Sequence, residues 1–200
     1  MKKYLTLLFT IFLFSSFIPN NTHTYTEQQP NIVTQDSITL SIKDSIRTEL
    51  IQEVDKYISK LFPNSRLTAQ TLVTTCEVHN FDIVFAMAQG QIESGFGTAG
   101  KAKHTNSVWN VGQHDGRSIT TMNKLGLNFT HPDRSIEPYI VLVKTNYLGD
   151  KRTYNDLMNR YVNLSGHRYA SNPRYETSLR QTYNRIVRTT RIQELFNQLI

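Results

Sequence analysis

The segment that constrains the fold most runs from Asp82 to Gly97. It holds a nearly continuous apolar stretch that begins at Ile83. Asp82 is a residue type that caps helix N-termini, and Gly95 and Gly97 are of the type that ends helices. These signals predict a mostly buried helix from Ile83 to about Ser94. The rest of the chain must then pack around it.

Apolar residues recur at helical steps through most of the chain, so we expect a mainly α fold of the α+β class. Their spacing from Ile38 to Leu61 predicts an amphipathic helix over residues 41–62, with a capping box starting at Ser41. Its apolar stripe is expected to pack against the main domain, and self-association is the alternative. Ile119–Met122 is predicted to be a strand of a small hairpin. Further helices are predicted over residues 68–79, 135–147, 154–164, 173–188 and 191–199.

The start of the chain has the features of an export signal. Lys2 and Lys3 precede an apolar run, Leu5–Ile18, that is shorter than the ~20 residues needed to span a bilayer. We expect residues 1–20 to be a signal peptide or an uncleaved N-terminal anchor, and residues 21–40 to be a flexible linker. The corresponding location is secreted, periplasmic or in the cell envelope.

The charge of the chain is mildly basic, with a net value of +6 and no run of five or six like charges. A nucleic-acid partner is therefore not expected. The charge is compatible with binding to an anionic polymer such as a cell wall, and equally with the surface of an ordinary soluble protein. The single cysteine, Cys76, lies among apolar residues and is expected to be a buried thiol. Histidine spacing predicts no metal site, and no glycine-rich phosphate loop is present, so no cofactor is expected.

Glu93 is the strongest candidate for catalysis. It lies near the C-terminal end of the predicted buried helix, where the helix dipole and apolar neighbours both raise a carboxyl pKa. A carboxyl that stays protonated near neutral pH is what a glycosidase uses as its general acid. Gln89, one turn earlier on the same face, is expected to bind substrate or to position Glu93. A solvated surface glutamate is the alternative.

Four short motifs, in one order, resemble those of the glucosaminidase family of peptidoglycan hydrolases, glycoside hydrolase family 73. They are AQGQIESGFG at 88–97, NSVWNV at 106–111, SIEPY at 135–139 and GHRYASNPRY at 166–175. The last one has one extra residue between its glycine and its first tyrosine. The resemblance covers residues 66–190, so this range is expected to be the catalytic domain and residues 191–200 a helical tail.

The resemblance implies a lysozyme-like helical core with a small β-hairpin lobe. It implies that Glu93 is the acid and that Tyr169 assists beside the cleft. Asn106, Trp109, Asn110 and Tyr175 are the matching candidates for substrate binding. A place in the core is the alternative for Trp109 and Tyr175.

Many relatives in that family carry a second carboxylate in the hairpin, and the hairpin candidate of this chain has none. The nearest acids are Asp115 and Asp133, and each lies beside a glycine or proline. A purely structural role in a turn is the alternative for each of them. Asp115 is the candidate retained as a catalytic residue. If neither acid reaches the cleft, the 2-acetamido group of the substrate is expected to serve as nucleophile.

The resemblance therefore predicts an endo-β-N-acetylglucosaminidase that cuts the glycan strands of peptidoglycan. A lysozyme or lytic transglycosylase is an alternative on the same core. The segment NSVWNV replaces the GLMQ-type segment of those enzymes and favours the glucosaminidase. A second alternative is a non-catalytic wall-binding or structural protein of the envelope or of a phage particle. A membrane contact is expected only through an uncleaved N-terminal segment.

Overall fold

The computed structural model describes residues 35–112 and 118–200, and helices dominate both ranges. The predicted signal segment, most of the predicted linker and Asp115 lie outside the described residues. A 3-10 turn, Pro132–Ser135, precedes α6, and a π turn, Lys144–Leu148, follows it. The α-helices are α1 Gln35–Leu61, α2 Ala69–Val78, α3 Ile83–Ser94, α4 Ala102–Thr105, α5 Ile119–Lys124, α6 Ile136–Val143, α7 Tyr154–Asn159, α8 Tyr175–Thr189 and α9 Ile192–Asn197.

Helix α3 is the centre of the fold, as the sequence predicts. Every residue from Ile83 to Gly90 is buried. The Asp82 carboxylate accepts a hydrogen bond of 2.9 Å from the Phe85 amide and so caps the first turn. Gly95 ends the helix in the left-handed conformation with φ of 55°. Since α8 and α9 both pack on α3, the polar residues of its last turns are held at defined positions.

Helix α1 begins at Gln35, so the expected start at Ser41 and the extension of the linker to residue 40 are wrong. Ser41 therefore lies inside the helix and does not cap it. The C-terminal half of α1 packs as expected against the rest of the protein, with Leu50 and Val54 completely buried between α2 and α9. Ile38 and Ile42, near its start, are about half exposed. The stripe is thus buried over only part of its length.

The expected strand at Ile119–Met122 is wrong, because these residues form helix α5. The Ser118 hydroxyl accepts a hydrogen bond of 3.1 Å from the Thr121 amide and caps this helix. That local bond outweighs the β preference of the two threonines. Within the described ranges, β pairing is limited to one isolated antiparallel bridge between Val162 and Arg168. The structure is therefore mainly α.

Other helix ends differ from expectation by a few residues. Helix α7 stops at Asn159, well before the expected end at residue 164, because the chain becomes extended at Arg160. The expected helix over residues 135–147 is made of three consecutive pieces with different hydrogen-bonding patterns. Among the described residues, no helix is long and apolar enough to span a membrane.

Replacement of Gly95 by alanine is expected to destabilise the fold strongly. A Cβ there would lie 2.7 Å from a ring carbon of Phe62, in a backbone conformation that L-residues disfavour. Strain of about 1–2 kcal/mol and a packing clash of about 1–3 kcal/mol add together. Gly100→Ala is the matched control, because Gly100 has φ of 59° but no atom within 4 Å of the added Cβ. Urea unfolding of both variants measures the difference, and equal losses would contradict the clash.

Candidate active site

Glu93 lies in the wall of an open cleft with a volume of about 980 Å³. The last turn of α3 supplies Glu93, the π turn supplies Asn146 and Tyr147, and the segment between α7 and α8 supplies much of the remaining lining. The lining residues are Glu93, Lys101, Asn110, Gly112, Leu142, Asn146, Tyr147, Asn163, His167, Arg168, Tyr169, Ala170, Ser171, Asn172 and Tyr175. The cleft therefore brings together the first, second and fourth sequence motifs.

The Glu93 carboxyl is held at both oxygens. The Tyr175 hydroxyl donates a hydrogen bond to Oε1, and Nδ2 of Asn110 donates one of 2.9 Å to Oε2. The same amide group of Asn110 reaches the Glu93 carbonyl at 3.2 Å. Asn110 adopts the left-handed conformation with φ of 52°, which asparagine tolerates better than most residues. These contacts fix the orientation of the carboxyl toward the cleft.

The electrostatic environment favours the protonated form of this carboxyl. Burial raises the pKa of Glu93 above its ordinary value, and the hydrogen bonds from Tyr175 and Asn110 lower it by less than burial raises it. The direction agrees with the sequence expectation, and its main cause is desolvation. A carboxyl at the wall of a cleft whose protonated form is favoured in this way is suited to act as a general acid.

Tyrosines form much of the wall beside Glu93. The Tyr169 ring stacks on the buried Tyr161 ring with centroids 4.5 Å apart, and it lies 5.5 Å from the Tyr175 ring. The Tyr169 hydroxyl donates a hydrogen bond of 3.0 Å to the Trp109 carbonyl. Tyr169 and Tyr175 both line the cleft, and Tyr175 donates to the Glu93 carboxyl. The expected assisting role of Tyr169 stays a prediction.

Tyr147 is a cleft residue that the sequence analysis missed. It lies in the π turn after α6, and its ring meets the edges of the Tyr161 and Tyr169 rings at 5.1 Å and 5.4 Å. The turn is pinned by a hydrogen bond of 2.7 Å from the Leu164 amide to the Asn146 carbonyl. Its half-buried side chain presents aromatic surface to the cleft. The sequence offered one signal for this residue, an aromatic side chain near the end of a predicted helix. The π turn that directs it to the cleft depends on contacts with residues distant in sequence.

Gln89 and Trp109 do not contact the cleft, which corrects their expected role in substrate binding. Both are completely buried. The Trp109 indole N–H donates a hydrogen bond of 2.8 Å to the Ala86 carbonyl, and its ring stacks on Tyr139 at 4.6 Å. Trp109 therefore has no free face for a sugar ring. Oε1 of Gln89 is occupied by two tyrosine hydroxyls.

Asn106 has a structural position rather than one in the cleft, so its expected role in substrate binding is also corrected. Its Nδ2 donates a hydrogen bond of 2.6 Å to the Phe129 carbonyl, and its Oδ1 accepts one from Arg66. Asp133 is bound to the start of α2: its Oδ1 accepts a hydrogen bond of 2.9 Å from the Thr68 amide, and its Oδ2 accepts one of 2.8 Å from the Thr68 hydroxyl. Asp133 is thus a structural acid. Asp115 lies outside the described residues, and its expected role as a second carboxylate stays a prediction.

We expect Tyr175→Phe to move the pH profile of activity to higher pH. The Tyr175 hydroxyl lowers the Glu93 pKa by donating to the carboxylate, so its removal raises that pKa further. A general acid is active when protonated, and the fall of kcat/KM on the alkaline side will then occur at higher pH. The measurement is kcat/KM between pH 4 and 9, with Tyr183→Phe as the control because Tyr183 donates to Asp82 instead. An alkaline limb that stays in place or moves to lower pH would count against Glu93 as the acid.

Comparison of the chain with protein-family models, with curated proteins and with solved structures finds no match. The candidate site therefore stands on its own geometry and on the sequence motifs. No group of three or more His, Cys, Asp or Glu side chains suited to a metal ion occurs in residues 35–112 and 118–200.

Proposed function

We propose that this protein is a peptidoglycan hydrolase that cuts the glycan backbone as an endo-β-N-acetylglucosaminidase. The observation that supports this most is the environment of Glu93: a desolvated carboxyl, held by Tyr175 and Asn110, in the wall of an open cleft. A glycosidase needs such a carboxylic acid to protonate the leaving oxygen of the glycosidic bond.

The proposed catalytic step is proton transfer from Glu93 to the glycosidic oxygen while the sugar ring develops positive charge. Tyr175 and Asn110 are positioned to stabilise the carboxylate that this step leaves behind. Tyr147 and Tyr169 supply flat apolar surface against which a sugar ring packs. The helical core around α3 suits a lysozyme-like arrangement, which we propose together with the function. The protein is then secreted, periplasmic or in the cell envelope, where peptidoglycan lies.

The described residues define the nucleophile of the reaction less well than they define its general acid. Among the described lining residues, Glu93 is the sole carboxylate, and Asp115 is the candidate for a second one. If Asp115 does not reach the cleft, the 2-acetamido group of the substrate takes this role. Asp115→Asn separates the two routes, because only the first loses turnover when that carboxylate is removed.

A non-catalytic sugar-binding protein is the second candidate, and this single described carboxylate is the observation that favours it. The experiment is to incubate the purified protein with peptidoglycan and to measure soluble reducing ends over time. We expect release by the wild-type protein and release slower by about a hundredfold or more with Glu93→Gln. Binding of peptidoglycan without release of reducing ends would establish the binding protein instead.

A further inference from the structure

We propose that Gln89 is a positioning residue for the active site: it fixes the Tyr161–Tyr169 ring stack beside Glu93 and does not touch the substrate. This inference rests on the proposed function for its kinetic consequence, but not for its geometry. Gln89 lies one turn before Glu93 on α3 and has no exposed surface.

The hydrogen bonds of Gln89 connect the core to the cleft wall. Its Oε1 accepts a hydrogen bond of 2.8 Å from the Tyr139 hydroxyl and one of 3.0 Å from the Tyr161 hydroxyl. Tyr139 is itself fixed by its stack on Trp109. One amide oxygen thus anchors two buried rings that come from different parts of the chain.

Tyr161 passes this constraint to the groups around Glu93. Its ring stacks on Tyr169 at 4.5 Å with an interplanar angle of 13°, and it lies 6.0 Å from the Tyr175 ring. Tyr175 in turn donates to the Glu93 carboxyl. A shift of Tyr161 therefore moves both tyrosines that lie beside the acid. Packed rings transmit such shifts because protein interiors have little free space.

The second polar atom of Gln89 argues against a role in stability alone. Its Nε2 is buried and has no hydrogen-bond partner within the described residues. A buried donor without a partner reduces stability, so this amide is a less favourable core group than a fully bonded or apolar side chain. Gln89 contacts the ring stack through the hydrogen bond that its Oε1 accepts from the Tyr161 hydroxyl.

The test compares Gln89→Met with Gln91→Met. Gln91 lies two residues further along α3 and also accepts a tyrosine hydrogen bond, of 2.8 Å from Tyr57. It lines a separate groove beside α1 and α8. The two variants thus lose the same kind of bond from the same helix. Rates on soluble glycan strands are expressed per folded molecule, as judged by circular dichroism.

We expect Gln89→Met to lose kcat about tenfold or more with little change in KM, as misplacement of catalytic groups does. Gln91→Met is expected to keep the wild-type kcat. Gln89→Glu should recover rate at acidic pH, where its neutral carboxyl offers one acceptor and one donor as the amide does. If Gln89→Met does not fold, Tyr161→Phe replaces it and should lose kcat similarly.

A second measurement does not depend on activity. The Glu93 titration is followed by carbon NMR with labelled glutamate, and Gln89→Met should raise the Glu93 pKa because the Tyr175 hydrogen bond loosens. If the wild-type protein is inactive but this shift occurs, the proposed function fails and the positioning role stands. If the wild type is active and Gln89→Met changes neither kcat nor the titration, or matches Gln91→Met in both, the positioning role is overturned.

Discussion

Glu93→Gln is expected to lower the rate of glycan hydrolysis by about 10²–10⁴-fold, the usual worth of acid–base catalysis. The amide has nearly the same shape: its oxygen accepts the hydrogen bond from Asn110 and its NH2 group donates to the Tyr175 hydroxyl, but it has no acidic proton to give to the leaving oxygen. Hydrolysis of purified peptidoglycan measures the effect. Glu194→Gln, which changes an exposed glutamate paired with Arg191, is the matched control and should keep the wild-type rate.

The same substitution is expected to leave the melting temperature unchanged or to raise it. Because burial raises the folded-state pKa of Glu93, the folded protein binds its proton more tightly than the unfolded chain does. Wild-type stability therefore falls as pH rises through the Glu93 pKa, and the neutral glutamine avoids that loss. The difference in melting temperature should grow from acidic to neutral pH. A variant that melts well below the wild type at every pH would assign Glu93 a structural role.

Trp109→Ala is expected to destabilise the protein by about 3–5 kcal/mol, as loss of a buried aromatic side chain does. The indole fills the space beside α3 and Tyr139 and donates an additional hydrogen bond to the Ala86 carbonyl, so the substitution leaves a cavity and loses that bond. Chemical denaturation measures the loss. Sugar binding by the folded fraction should remain at the wild-type level, because Trp109 does not contact the cleft.

Tyr147→Ala is the matched aromatic substitution at the cleft wall. It should cost less stability than Trp109→Ala, since the ring is only half buried. The affinity for N-acetylglucosamine oligomers should fall by about two- to tenfold, the worth of one aromatic contact. Calorimetric titration of both variants separates the roles. Weaker binding by Trp109→Ala with wild-type stability would restore Trp109 as a substrate-binding residue.

The sequence predicted α3 and the place of Glu93 correctly because both depend on local signals: the cap at Asp82, the apolar run and the turn at Gly95. The partners of Glu93 are far away in sequence. Asn110 lies 17 residues from it and Tyr175 lies 82 residues from it. No local pattern reports such contacts, and both residues became candidates only through the family resemblance.

The failed predictions share a physical cause. The local sequence pattern does not determine which other parts of the chain a residue contacts in the folded protein. Trp109 lies next to Asn110 in the motif, yet the left-handed turn at Asn110 directs the amide to Glu93 while the indole enters the core. The β-branched residues of α5 suggested a strand, but the Ser118 side chain caps these residues as the first turn of a helix. Tyr147 reaches the cleft because contacts from Leu164 and Arg152 hold the π turn.

The reducing-end sugar of the products tests the central claim most directly. Purified peptidoglycan is digested with the protein, the soluble fragments are reduced with borohydride, and their termini are identified by mass spectrometry. Cleavage as proposed leaves N-acetylglucosamine at every new reducing end. Reduced N-acetylmuramic acid would indicate a lysozyme, and anhydro-muramic ends would indicate a lytic transglycosylase, so either product would contradict the proposed glucosaminidase.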